Sequence, residues 1–188
     1  MLPLTFPNFL TLLRILLVPV IVVALLEETP NADTIAAVVF AVAAFTDGLD
    51  GYIARSRGSV TTFGKLMDPL ADKLLIIAPL ISLVSLDRIA PWVAMVIIAR
   101  ELAVTMLRIV AVERGVVIPA SMLGKAKTIL QVAAIFAAIA FPSSVATDAL
   151  VYAAVVVTVV SGADYFFGVR RHLEQARREA SARRSGTL

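Results

Sequence analysis

The chain has 188 residues, 60% of them hydrophobic, with a mean hydropathy of +0.92, a formal charge of +3 and no cysteine. Apolarity of that degree over the whole length excludes an ordinary soluble core and predicts an all-α, polytopic membrane protein. The lack of cysteine excludes disulfides and thiolate metal sites, and no nucleic-acid partner is expected.

Hydropathy predicts six membrane-crossing helices. The first runs from about Phe9 to Leu26, with Arg14 and Pro19 inside it, the second from Thr34 to Ala54 and the third from Gly64 to Leu86. The fourth covers Pro91 to Glu113, the fifth Met122 to Phe141 and the sixth Ala149 to Gly168. Each is near the ~20 residues that cross a ~30 Å hydrocarbon layer. Met1 to Phe9 has no basic region and Ala24-Leu-Leu-Glu27 no small-x-small site, so no secretory signal peptide is expected.

Charge sets the expected orientation. The connections at 27–33, 87–90 and 142–148 contain one basic residue, Arg88. Arg55, Arg57, Lys65, Lys73, Arg114, Lys125 and Lys127 flank the other two, and six arginines from Arg170 to Arg184 follow the last helix. The alternation predicts that both termini face the cytoplasm. Trp92 is expected at the outer interface, Tyr52 and Tyr165 at the inner one. Residues 1–168 read as one catalytic unit. Residues 169–188 read as a basic tail, helix-prone as far as Ala182, that anionic lipid would attract. His172, in that tail, is expected to be solvated. The small residues Ala36, Ala37, Ala43 and Ala44 permit close helix packing.

The chemistry concentrates between residues 47 and 72. Asp47 and Asp50, three apart, share a helix face, as do Asp68 and Asp72, four apart. Arg55, Arg57, Gly58, Ser59, Thr61 and Thr62 between them read as a loop. Two helix ends so joined can gather four carboxylates, which repel strongly unless cations sit among them. Oxygen ligands of this kind favour Mg²⁺, Mn²⁺ or Ca²⁺. Intramembrane carboxylates are costly and usually functional.

The stretch fits D-x2-D-G-x2-A-R-x8-G-x3-D-x3-D at all eight fixed positions, Asp47, Asp50, Gly51, Ala54, Arg55, Gly64, Asp68 and Asp72. In this it resembles the CDP-alcohol phosphotransferase family. The resemblance implies that an alcohol attacks the β-phosphorus of a CDP-linked lipid and CMP departs. It also implies two Mg²⁺ or Mn²⁺ ions, bridged by Asp47 and Asp68 and completed by Asp50 and Asp72, with Asp72 as general base. Arg55 would pair with the pyrophosphate through its planar fork. Gly51, Ala54 and Gly64 lack bulk that would block the nucleotide, and Thr61 would lie near it. Asn8 either caps the first helix or, with Thr11, approaches the nucleotide as the family's Pro-Asn motif does. Arg14 is expensive in an apolar helix unless it snorkels or pairs. Lys73 has no motif role. Gly48 stands where many relatives carry Trp, at an unfixed position.

A second constellation lies on the fourth and fifth helices. Glu101, Thr105 and Arg108 fall on one face, and Arg100 projects to broadly the same side. With Lys125 and Lys127 they suggest a pocket for an anionic head group; the lysines, two apart, point differently, and a positive-inside girdle is their alternative reading. Together with Phe6-Pro-Asn-Phe-Leu-Thr11-x2-Arg14, these segments resemble the bacterial branch of the family whose donor is CDP-diacylglycerol and whose acceptor is sn-glycerol 3-phosphate. That branch implies an enzyme of phospholipid synthesis in the inner membrane, active at its cytoplasmic side, among membrane lipids and as a homodimer. The sixth helix and tail add no motif. The rivals are a sister enzyme with another acceptor, such as inositol phosphate, and a cation transporter; no interrupted, repeated helices favour the latter.

Overall fold

The computed structural model describes residues 6–27, 29–57, 62–113 and 122–185, with side chains described for 8–27, 29–47, 67–113 and 122–172. Among the described residues there are six helices and no strand: α1 (Phe6–Leu26), α2 (Ala32–Arg57), α3 (Thr62–Ser85), α4 (Pro91–Glu113), α5 (Met122–Ala140) and α6 (Val145–Ser185). The α4 bounds match the hydropathy reading, and most of the others differ by three residues or fewer. The sixth differs most. Hydropathy detects where a helix leaves apolar surroundings, whereas the Arg, Glu and Ala after Gly168 are good helix formers, so α6 runs on to Ser185, 41 residues in all.

The chain is a multi-pass helical membrane protein. Asn8–Leu26, Met122–Ala140 and Val145–His172 are long and apolar enough to cross a bilayer. The other helices, α2, α3 and α4, carry most of the charged motif residues. All six helices turn large apolar side chains outward, among them Leu16, Phe45, Ile81, Met95, Ile129 and Val156. Inside, Ile21, Phe40, Leu80, Leu83, Ile135, Ile139 and Ala154 form the core. Lipid is as apolar as this core, so close contact and hydrogen bonding hold such helices together. Ala36, Ala37 and Ala43 are buried accordingly. Polar side chains on the apolar segments bond to their own helices, as Ser82 to the Ala78 carbonyl and Thr128 to that of Gly124.

Helix α1 packs on α2 and α3, α6 packs on α4 and α5, and α5 reaches across to α2 and α3. One stripe of α1 is buried: Asn8, Thr11, Arg14, Val18, Ile21 and Leu25. Its first half is polar and meets the site; its second half is apolar and enters the core.

The far end is closed by backbone geometry and one ion pair. Helix α3 stops where Arg88 N–H donates to the Leu83 carbonyl (2.9 Å) and Asp87 N–H to that of Val84 (3.1 Å), with Asp87 left-handed at φ 55°. Asp tolerates that region better than most side chains. Arg88 then grips Asp33 with both nitrogens, at 2.8 and 3.0 Å, tying this turn to the start of α2. Nearby, Trp92 stacks on Tyr152 with ring centroids 6.1 Å apart.

Candidate active site

The three motif carboxylates with described side chains, Asp47, Asp68 and Asp72, all meet α1. Arg14 Nη1 lies 2.7 Å from Asp47 Oδ1 and 2.7 Å from Asp72 Oδ1. One turn earlier, Thr11 Oγ1 donates to Asp68 Oδ1 at 2.5 Å. Arg14 is only 2% exposed, so the expense of a cation in an apolar helix is met by pairing rather than snorkelling. Asn8 lies inside α1, buried, and not at its N-cap.

The carboxylates come from the second half of α2 and the first turns of α3; Asp47 and Asp72 share Arg14, while Asp68 meets Thr11 one turn away. Asp50, Gly51, Ala54, Arg55 and Gly64 lie on helical backbone, but their side chains fall outside the described residues; Thr61 lies outside altogether. Among the described residues, no three acidic or histidine side chains are placed to hold an ion by themselves. The donors nevertheless suit a hard divalent cation. The contact of one Arg14 nitrogen with both Asp47 and Asp72 also shows that positive charge is accommodated between them.

A cavity of about 940 Å³ extends from Asp47 and Asp72 across α3, α4 and α5 to α6. It is lined by all six residues of the second constellation, Arg100, Glu101, Thr105, Arg108, Lys125 and Lys127. Their individual positions differ from the simple picture of a cationic pocket. Glu101 is buried and gathers cations: Lys73 Nζ reaches Oε2 at 3.0 Å, Lys127 Nζ bonds Oε1, and Arg100 Nη1 lies 3.4 Å from Oε1. Lys127 is thus buried and paired, whereas Lys125 is exposed, so the two lysines do diverge. The Thr105 hydroxyl donates to the Glu101 carbonyl at 2.7 Å, leaving only its oxygen free to accept.

Motif reasoning passed over several residues. Lys73, without a motif role, is a partner of Glu101. Helix α6 also contributes a wall: Ser161 and Tyr165 line the cavity, and Thr158 accepts from Gln131 Nε2 at 2.9 Å. Tyr165 is 8% exposed, with Arg108 Cζ 5.8 Å from its ring centroid. The available signal was a stripe of Thr158, Ser161, Gly162 and Tyr165 on one face of α6. His172 is exposed, as expected.

The family model for CDP-alcohol phosphatidyltransferases matches residues 4–160. A Bacillus subtilis (strain 168) protein named CDP-diacylglycerol–glycerol-3-phosphate 3-phosphatidyltransferase is 42% identical over 181 residues, covering 85% of this chain and 92% of that protein. A Mycobacterium tuberculosis (strain H37Rv) protein named probable phosphatidylglycerophosphate synthase is also 42% identical, over 93% of this chain and 86% of its own. A Rickettsia felis protein with the same name as the Bacillus one is 35% identical over 88% of this chain and 96% of its own.

Proposed function

The chain belongs to the CDP-alcohol phosphatidyltransferase family, and from that premise we propose that it transfers the phosphatidyl group of CDP-diacylglycerol to sn-glycerol 3-phosphate, giving phosphatidylglycerophosphate and CMP. The bacterial relatives named for this reaction align over most of both chains. The observation that carries the reading is the shared cavity, which joins the carboxylates Asp47 and Asp72 to the cations Arg100 and Arg108. Donor chemistry and an anionic acceptor need those two surfaces next to each other.

In the proposed reaction, Arg100 and Arg108 hold the acceptor phosphate, with Lys125 beside them. Glu101 keeps Lys73 and Lys127 in place, and Thr105 offers an acceptor oxygen. The primary hydroxyl of glycerol 3-phosphate passes its proton to Asp72 as its oxygen bonds to the β-phosphorus. The bond from that phosphorus to the bridging oxygen breaks, and CMP departs with the electron pair. Arg55 pairs with the pyrophosphate, while Asn8, Thr11, Gly51, Ala54, Thr61 and Gly64 bound the CDP side. Two Mg²⁺ or Mn²⁺ ions held by Asp47, Asp50, Asp68 and Asp72 would supply the charge that acidifies the hydroxyl and stabilises the leaving group.

All six helices cross a bacterial inner membrane in this reading, with both termini and the carboxylates on the cytoplasmic side. The alternation of basic residues supports that orientation. Residues 1–168 form the catalytic unit, 169–188 a basic extension beside anionic lipid, and two copies associate as a homodimer.

The test is CMP release from CDP-diacylglycerol by the purified chain in detergent, comparing glycerol 3-phosphate, inositol phosphate, serine and phosphatidylglycerol as acceptors. Glycerol 3-phosphate alone should support turnover. Preference for another acceptor would move the chain to a sister activity, and no release with any acceptor would sink the transferase reading.

A further inference from the structure

Two features of α6 bear on the arginines of the acceptor pocket. Arg100 Nη2 donates to Ser161 Oγ at 3.1 Å. Beside it, a Cβ at Gly162 would stand 3.2 Å from Arg100 Cγ, so the bare backbone there lets the arginine stem lie against the helix. One turn further on, the face of Tyr165 carries the Arg108 guanidinium, 5.8 Å from centroid to Cζ. Ser161, Gly162 and Tyr165 occupy one face of α6, and both arginines and both polar residues line the same cavity. An arginine has several rotatable bonds and a planar fork that binds phosphate well only when correctly turned. Two arginines each braced by α6 are already turned before a ligand arrives.

We infer that α6 is the positioning wall of the acceptor site: Ser161 and Tyr165 set the orientation in which Arg100 and Arg108 grip the acceptor phosphate, and Gly162 gives Arg100 its room. The inference rests on the glycerol 3-phosphate reading above. Tyr165 acts through the face of its ring. Its hydroxyl has no hydrogen-bond partner among the described residues, so the ring alone should suffice. Ser161 acts through its oxygen, which accepts from Arg100 and donates to the Thr158 carbonyl at 3.1 Å.

Steady-state kinetics of the full chain in detergent, with each substrate varied in turn, tests this. Tyr165→Leu should raise KM for glycerol 3-phosphate about fivefold, the cost of one cation–π contact, with kcat and donor KM little changed. Tyr165→Phe should restore the acceptor KM. Ser161→Ala should raise that KM by a similar factor, Ser161→Thr less so, and Gly162→Ala should raise it by displacing the Arg100 stem. In an Arg108→Ala background, Tyr165→Leu should add nothing further, because its effect passes through Arg108. If Arg108→Ala raises acceptor KM but Tyr165→Leu and Ser161→Ala do not, the positioning role is wrong and the acceptor assignment survives. Should Tyr165→Leu lower kcat and affect both KM values equally, Tyr165 is only structural and the inference falls. If Arg108→Ala and Arg100→Ala both leave acceptor KM unchanged, the acceptor assignment fails and the wall fails with it.

Discussion

Arg14 Nη1 stands 2.7 Å from Asp72 Oδ1, joining the first helix to the carboxylate assigned as base, and the same nitrogen touches Asp47. Without a bound ion, this arginine supplies counter-charge to two motif carboxylates. Losing one partner of a fully buried pair costs about 3–5 kcal/mol; here the cost is smaller, because Asp72 and Asp47 are 49% and 37% exposed. Arg14→Ala should therefore lower the apparent Tm in chelator. The deficit should shrink when Mg²⁺ is added, since an ion replaces part of the missing charge. An equal deficit with and without Mg²⁺ would rule out the counter-charge role.

Chelation should abolish CMP release, and Mg²⁺ or Mn²⁺ should restore it. Asp47→Asn and Asp68→Asn should lose both turnover and Mn²⁺ binding, measured directly by calorimetry. Undiminished turnover in excess chelator would refute metal assistance.

Base and donor roles separate kinetically. Asp72→Asn removes the proton acceptor and should depress kcat by about a hundredfold or more. Arg55→Ala removes a pyrophosphate contact and should chiefly raise KM for CDP-diacylglycerol. Near-normal kcat in Asp72→Asn would mean that another group takes the proton.

Glu101 is a stability residue before it is a binding residue. From sequence it is placed among the acceptor contacts; in the fold its two oxygens are taken by Lys73, Lys127 and Arg100. Glu101→Gln would strand a buried Lys127 and a half-buried Lys73, at a cost of about 3–5 kcal/mol. The expected outcome is a lower apparent Tm together with a raised acceptor KM. A variant as stable as the parent would show that the lysines find other partners.

The Arg88–Asp33 clasp lies on the opposite side of the bundle from the carboxylates in the proposed topology. Arg88→Ala should lower stability by about 1 kcal/mol, the scale of a partly exposed pair with good geometry, while both KM values stay at parental levels. Altered acceptor KM would imply coupling between the two ends.

Much was legible in the sequence because it is written in local spacing. Apolar runs separated by turn residues identify six helices. Pro91 and Glu113 bound α4 as expected, and the intervals among Asp47, Asp50, Asp68 and Asp72 put each pair of carboxylates on one face of its helix. Partner choice across helices was not legible. Arg14 finds Asp72 at a separation of 58 positions, Arg100 finds Ser161 at 61, and Lys73 finds Glu101 at 28. No periodicity within one helix encodes such pairs. They depend on how far each helix is rotated and at what height it meets its neighbour, and close packing decides that only when all six are assembled. For the same reason the contact of Tyr165 with Arg108 is visible only in the fold. The identity of a residue determines what it can bind; tertiary packing determines what it is given to bind.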